Sequence, residues 1–492
     1  MRLISVDVGT TNIKTALVEV SNNFIHVIKG YNIRVPPEKP EKGAYEHNPN
    51  LLTKLIVESM KHVSSPSVDA VVFSSYLFGL VALGRGMKPL TNIITWVDER
   101  SYAAVEDLKP HGKELYLRTG CPPLHIYALP KILWLKKKQK ELIKEAEYFL
   151  DAKSFLMRIF TNEVVTDLAS ASGTYQLLNI HDLKWDDLAL EIAGLDESKL
   201  PLLVEGSYIA EIKTEIAEAL GIDERVPVVT GLYDGASMIY GLTLGRSGLG
   251  VINLGTSAML RVVADHPVLD NPELMRFQTY YFINSKWLCG AGISNAGIIF
   301  DYLVRLLNIS STGSARVLYD EIFNNVDNRL EKESRCLLIP ILYPERIPFI
   351  IPNWRVSILG LKPEIDNIDV IRAAVEGVTS MLKIVGEGLE ENGIVFDEVR
   401  VGGKLAKYSA VQKVLANMLN KKVLYCELPD ISHIGNALLT LRSLKVISDK
   451  SLEEILNNLI NSCRLVSPDP RAVSKYAKVY AEFKKILKLL YT

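Results

Sequence analysis

Cysteine is scarce and scattered in this chain: Cys121, Cys289, Cys336, Cys426 and Cys463 are odd in number, far apart, and fall in no CxxC or Cys/His spacing. That pattern suggests neither a disulfide framework nor a zinc site, and a reducing compartment fits it. Long apolar runs are missing as well. The chain opens on Met1-Arg2-Leu3-Ile4-Ser5-Val6-Asp7, where charge interrupts the hydrophobic stretch at once. No signal-peptide core and no spanning segment is read anywhere, so the expectation is a cytoplasmic protein with no membrane partner. Nor is there an excess of one sign of charge. Lys and Arg number 56 against 57 Asp and Glu, a formal net charge of -1, which removes any global attraction to nucleic acid. The basic run Lys136-Lys137-Lys138-Gln139-Lys140 is followed by Glu141 and Glu145 and reads as a solvated helix face. Glutamine is rare (Gln139, Gln176, Gln278, Gln412) while Lys, Glu and Ile abound, a balance found in hyperthermophile proteins.

What the chain does carry is length and pattern. Its 492 residues, 48% of them hydrophobic, exceed what one hydrophobic core accommodates, so two or more domains are expected. Leu3 to Val20 is an alternating apolar run broken by Gly9-Thr10-Thr11-Asn12, which reads as a strand hairpin. The device recurs at Val251-Ile252-Asn253-Leu254-Gly255-Thr256-Ser257, which leaves as Ala258-Met259-Leu260-Arg261-Val262-Val263. One template used twice predicts an internal duplication, with units at residues 1–245 and 246–492. Gly241, Gly245, Gly248 and Gly250 at the crossing read as a hinge. Strand-like runs (Ala70 to Phe73, Val226 to Thr230, Glu398 to Val401, Lys422 to Tyr425) alternate with helical ones (Leu129 to Ile143, Ser154 to Phe160, Val370 to Leu389, Ser409 to Leu419, Leu452 to Asn461). The fold class expected is therefore α/β, with helices covering a sheet in each half.

A turn that offers consecutive backbone N–H groups and hydroxyls wraps phosphate oxygens well, because Gly lets the backbone approach and Thr or Ser adds donors. Gly9-Thr10-Thr11-Asn12 has that chemistry, Lys14 adds a positive charge, and Asp7 at the strand end is placed to hold Mg2+. A single such turn is equally a plain hairpin. Two of them, with Gly255-Thr256-Ser257 in the other half, favour a nucleotide clamped between domains. In Thr230-Gly231-Leu232-Tyr233-Asp234-Gly235, an apolar strand ends in Gly and a carboxylate precedes a small-residue helix start. Asp234 is then either a helix N-cap or a base that takes the proton of an acceptor hydroxyl.

Together these segments resemble the FGGY family of carbohydrate kinases over nearly the whole chain. Asp7-Val8-Gly9-Thr10-Thr11 is similar to the family's first phosphate motif, Gly231-Leu232-Tyr233-Asp234-Gly235 to its catalytic aspartate motif, and Asn253-Leu254-Gly255-Thr256-Ser257 to its second phosphate motif. Pro130-Lys131-Ile132-Leu133-Trp134-Leu135 looks like a signature segment, and Gly402-Gly403 followed by Gln412 like the adenosine-binding turn and helix. The resemblance implies two actin-like (ribonuclease H-like) domains with an interdomain nucleotide cleft. The first would bind substrate and carry the catalytic Asp234, and the second would bind adenosine, with ATP and Mg2+ as cofactors. Gly297 is placed near the adenosine by the same likeness, or else is a helix-start glycine that permits close packing. Where many members have three glycines in the adenosine turn, this chain has Gly402-Gly403-Lys404. The oligomeric state is left open, a homodimer included.

On the substrate side, Pro89 to Ser101 resembles gluconate and xylulose kinases, and so do Thr166-Asp167, Trp287-Leu288-Cys289-Gly290 and Pro344-Glu345-Arg346-Ile347-Pro348. Asp98 and Arg100 would offer an acceptor and a donor to a polyol, or else form a loop-fixing ion pair. Ser74-Ser75-Tyr76-Leu77-Phe78-Gly79 stands where relatives commonly carry Gln-Met-His. Phe78 replaces the imidazole and, beside Tyr76, makes a more apolar wall that suggests an altered substrate, and Leu77-Phe78 stand where glycerol kinases carry an Arg-Glu pair, which disfavours glycerol. Arg100, His125 and Lys153 are the cations considered for a substrate carboxylate. The expected reaction is γ-phosphoryl transfer from ATP to a hydroxyl of a sugar or sugar acid. The competing class is an actin-like or chaperone-like ATP-driven switch, since fold alone does not set function.

Overall fold

Two large sheets are laid down on the same plan. The computed structural model describes residues 1–21, 24–309, 314–348, 355–428 and 430–491. The first sheet contains β1 (Arg2–Val8), β2 (Asn12–Ser21), β3 (Phe24–Arg34), β4 (Ala70–Ser75), β5 (Ile209–Glu211) and β6 (Pro227–Val229), in the order β5-β6-β4-β1-β2-β3. The second contains β7 (Leu249–Leu254), β8 (Ala258–Ala264), β9 (Gln278–Tyr281), β10 (Trp287–Ile293), β11 (Glu398–Gly402), β12 (Lys422–Tyr425) and β13 (Arg464–Val466), in the order β9-β10-β8-β7-β11-β12-β13. Read from opposite ends, the two match strand for strand. β1 pairs antiparallel to β2 and parallel to β4, and β7 pairs antiparallel to β8 and parallel to β11. Strand β9 is an addition at the second sheet's edge.

The central strands are buried along nearly their whole length, as strands covered on both faces must be. Edge strand β3 is largely exposed and carries His26, Lys29 and Arg34, charges that discourage pairing with another chain. Helix α1 (Pro49–Val63) starts where the Asn48 side chain accepts from the N–H groups of Asn50 and Leu51. It buries Leu52, Ile56, Met60 and Val63, a helical stripe, against the first sheet. Helix α2 (Ala152–Phe160) covers β4. The first unit closes with α3 (Asp234–Thr243); in the second, α5 (Asn367–Glu391) follows α4 (Gly297–Leu306), and its first turn is held by a capping box between Asp366 and Asp369. Helices α6 (Ser409–Leu419) and α8 (Pro470–Tyr491) pack beside it. No helix among the described residues is long and apolar enough to cross a membrane.

Helix α7 (Ile431–Ser443) follows β12 in the second unit, yet it packs on β1, β4 and α3 of the first. The contact depends on two glycines. A Cβ on Gly435 would lie 1.8 Å from the Ser237 carbonyl oxygen, and one on Gly241 would lie 2.9 Å from the Gly435 nitrogen. Gly241, read as part of a hinge, is thus a helix-packing glycine, and Gly250 lies within β7. Only Gly245 and Gly248 occupy the crossing itself.

The cysteine reading needs correction. Cys426 and Cys463 form a disulfide, 37 residues apart in sequence. Antiparallel pairing sets Val423 opposite Val466, Leu424 opposite Leu465 and Tyr425 opposite Arg464, so the next opposed positions are the two cysteines. Cys121, Cys289 and Cys336 are buried thiols.

Candidate active site

The turn at Gly9 follows the last residue of β1, and Asp7 sits one register step before the strand's end, opposite Lys14. Its carboxylate accepts the Ser74 hydroxyl at 2.8 Å and the Ser432 hydroxyl at 3.0 Å. Ser432 comes from the start of α7, so the second unit reaches over to hold a carboxylate of the first. Lys14 pairs with Asp430, just before the same helix, at 3.2 Å. Ser432 and Asp430 were not foreseen from sequence; no local motif marks them, because their relevance depends on α7 docking across the molecule.

Asp234 lines the same cleft as Asp7, a space of about 490 Å³ that is also lined by Lys14, Asn253, Ser257, Gly403 and Arg346. It is the first residue of α3, and Tyr233 occupies the cap position. The N-cap alternative therefore does not describe it; the carboxylate instead accepts the Gly235 N–H at 2.7 Å. The preceding turn is fixed from below. Lys153 on α2, fully buried, donates to the carbonyls of Phe73, Thr230 and Leu232 at 2.7, 2.8 and 3.0 Å. Three donated bonds require all three ammonium protons, so the cation is spent on architecture. Gly231 completes the turn at φ 74°, where a Cβ would lie 2.0 Å from the Phe73 carbonyl oxygen. Loss of hydration raises the Asp234 carboxyl most, the nearby charge of Asp7 raises it further, and the Gly235 N–H, Lys153 and Lys14 oppose them; the result is about 7.

The second turn separates this cleft from another cavity. Ser257 lines the cleft, while Gly255, Thr256 and Gly297 line a space of about 500 Å³ with Asp301, Arg316, Tyr319, Lys404 and Tyr408. Gly403 faces the first and Lys404 the second. Gly297 begins α4, and its N–H donates to the Gly255 carbonyl at 3.0 Å; the close-packing role and a place in the cavity wall hold together. Gly402 ends β11 beside it. The geometry is thus two glycine-hydroxyl turns from equivalent hairpins, two carboxylates in one cleft, and a side cavity at the second turn.

Comparison with known proteins agrees. The N-terminal domain of the FGGY family of carbohydrate kinases matches residues 2–241, and the C-terminal domain of that family matches residues 250–444. The chain belongs to the FGGY family. It is 28% identical to the gluconokinase of Bacillus subtilis (strain 168) over 99% of this chain and 96% of that one. It is 24% identical to the xylulose kinase of Staphylococcus xylosus over 86% of each. Among solved structures, the gluconate kinase of Lactobacillus acidophilus superposes with a TM-score of 0.90 at 25% identity, covering 99% of this chain and 98% of that one. The FGGY match makes the chain a phosphotransferase with an alcohol group as acceptor, and does not favour a chaperone-like switch.

The residues expected on the substrate side of this FGGY kinase build walls. Asp98 and Arg100 satisfy one another, Asp98 also accepting from the Tyr45 N–H and Arg100 also pairing with Glu46 and Glu41. This is the loop-fixing alternative. Tyr76 is buried, and its hydroxyl meets His47 Nδ1 at 3.0 Å, while His47 Nε2 meets the Thr10 carbonyl at 3.0 Å. A carbonyl only accepts, so Nε2 carries the proton and Nδ1 accepts from Tyr76; burial pushes the His47 pKa down to about 4 and keeps the ring neutral. Trp96 Nε1 donates to the Thr10 hydroxyl at 2.9 Å. Thr10 is thereby held at two atoms by substrate-side residues that sequence reading had not assigned. Thr11 and Asn12 lie on the same turn, Thr11 exposed and accepting at its carbonyl from the Val35 N–H. Phe78 stands edge-on to Tyr127 at φ 68°, its N–H on Thr174 and its carbonyl on Lys131.

Proposed function

We propose that this FGGY kinase transfers the γ-phosphoryl group of ATP to a hydroxyl of a sugar or sugar acid, with Asp234 as the general base. The single observation that carries the reading is that Asp7 and Asp234 line one cleft together with Lys14 and with Ser257 of the second glycine-hydroxyl turn. The turn at Gly9, Thr10, Thr11 and Asn12, with Lys14, is assigned to the terminal phosphates, and Gly255 and Thr256 to the phosphates from the other side. The side cavity behind Gly255, bounded by Gly297 and Lys404, is assigned to the adenosine, with Gly402 and Gly403 in the strand end and turn that lead into it. An acceptor hydroxyl at Asp234 gives its proton to the carboxylate as its oxygen attacks phosphorus, and Lys153 and Gly231 hold that carboxylate in place.

The residues present also fit Mg2+. Asp7 takes one hydroxyl donor on each oxygen, which orients it and leaves lone pairs free. No group of three His, Cys, Asp or Glu suited to a metal occurs among the described residues, and Mg2+ bound with a nucleotide characteristically takes one or two carboxylates, phosphate oxygens and water. Asp7 is the residue assigned to it. When bound, the ion would neutralise charge on the phosphates.

ADP release from purified protein, measured across gluconate, xylulose, other ketoses and glycerol, tests the reading. Turnover is expected on at least one polyhydroxylated acceptor, and Asp234→Ala should lower kcat by about 10²–10⁴-fold with ATP binding retained. A protein that hydrolyses ATP slowly and ignores every acceptor would sink the proposal.

A further inference from the structure

A sugar acid carries a carboxylate that a neutral ketose lacks, so a cation available in the cleft discriminates between them. Arg100, His125 and Lys153, the groups the sequence offers to such a carboxylate, are all committed. The Arg100 guanidinium pairs with Asp98, Glu46 and Glu41 and lies 4.6 Å over the Trp134 ring. The His125 ring stacks on Tyr102 with centroids 3.8 Å apart, and burial together with the charges of Arg346 and Lys131 pushes its pKa down to about 3, so it is neutral. Lys153 donates to three carbonyls, and buried Lys131 donates to the Phe78 carbonyl. Lys14 pairs with Asp430 beside the first phosphate turn.

Arg346 is different. It is half-buried, lines the cleft that holds Asp7 and Asp234, and lies 5.3 Å over the Trp96 ring. Among the described residues no carboxylate lies within ion-pair distance of it. Its neighbour Glu345 is buried and already accepts from the Ser294 N–H and the Asn295 amide. The charge of Arg346 acts on His125, Tyr102 and the adjacent Glu345, and the principal cations acting on Asp234 are Lys153 and Lys14. The guanidinium therefore stands against the wall built by Trp96, Tyr102 and His125. A planar guanidinium held against an aromatic face is preorganised for two parallel bonds to a carboxylate, and a half-buried cation with no carboxylate in ion-pair contact gains most from such a ligand.

We propose that Arg346 binds the carboxylate of a linear sugar acid whose far hydroxyl lies at Asp234, so that the preferred acceptor is an aldonate. The assignment rests on the kinase reading above. Steady-state ADP release tests it, with gluconate as the acid probe and xylulose and glucitol as neutral probes, for the wild type, Arg346→Gln and Arg346→Lys. The wild type should prefer gluconate. Arg346→Gln should raise KM for gluconate by about 10- to 150-fold, the value of a charge-assisted bond, with KM for ATP little changed. Arg346→Lys should recover part of the loss by restoring charge without the fork. Gluconate should also raise the unfolding midpoint of the wild type and not of Arg346→Gln, while ATP stabilises both. A wild type that phosphorylates xylulose or glucitol and no acid overturns the assignment and leaves the kinase reading standing. An equal fall of kcat on every acceptor in the two variants also overturns it, by placing Arg346 at the phosphoryl group. Absence of turnover on any acceptor would remove both readings.

Discussion

Asp234, the proposed base, lies near another carboxylate whose charge helps to raise its pKa. Its ordinary value is 3.8, and in the folded protein it rises to about 7 through lost hydration and the charge of Asp7. Between those values the folded chain holds a proton that the unfolded chain has released, so this group makes stability fall as pH rises from about 4 to 7 and then level off. Asp234→Asn removes that loss. The unfolding midpoint of the variant minus that of the wild type, taken without nucleotide or Mg2+, should therefore grow across this window; a difference independent of pH would contradict the raised carboxyl. Activity should run the other way, kcat/KM climbing along an acid limb as the carboxylate forms. At this scale Asp7, Gly9, Gly255 and Asp234 were legible because each sits in a short motif of strand, glycine and hydroxyl or carboxylate. His47 and Trp96 were not, since what matters about them is a bond to Thr10 from 37 and 86 residues away.

Among the elements, α3 and α7 decide whether the cleft exists. Their N-terminal ends carry Asp234 and Ser432, and they cross where Gly435 lies against Ser237. Gly435→Ala should force the helices apart, cost about 1–3 kcal/mol as overpacking does, and lower kcat/KM by moving Ser432 away from Asp7. Gly30→Ala, on the exposed face of β3 with nothing within 4 Å of the added Cβ, is the control and should change neither. A Gly435→Ala protein of unchanged stability and activity would show that the crossing is loose. The disulfide acts on the segment that precedes α7. Thiol titration of unfolded, unreduced protein should find three reactive cysteines, and five after reduction; five in both would exclude the bond. For a closed loop of this length the chain-entropy estimate is about 4 kcal/mol, so dithiothreitol should lower the midpoint of thermal unfolding. Most helices and strands were readable from periodicity. The helix expected from Leu129 to Ile143 instead breaks at Gln139, whose φ of -140° and ψ of 68° divide it into Ala128–Lys138 and Lys140–Glu145, a break that no Gly or Pro announces.

For the molecule as a whole, transfer to an alcohol rather than to water requires that the cleft shed solvent when both substrates are present. The two glycine-hydroxyl turns stand on separate sheets, so the simplest way to do this is for one unit to move toward the other. Small-angle scattering should show a smaller radius of gyration with a non-hydrolysable ATP analogue plus a productive acceptor than with either alone; identical curves would argue against closure.

The amino-acid order by itself determined the duplicated strand-turn-strand template, the α/β layering and the positions of the two carboxylates. These are written in apolar alternation and in glycine placement over stretches of a few residues, where each residue's neighbours in sequence are also its neighbours in space. Tertiary structure alone decided which charges are spent and which are free: that Cys426 faces Cys463, that Arg100 and Lys153 are consumed by the scaffold, and that Arg346 is left over in the cleft. A side chain's availability is the difference between what it carries and what its spatial neighbours take, and those neighbours come from distant parts of the chain.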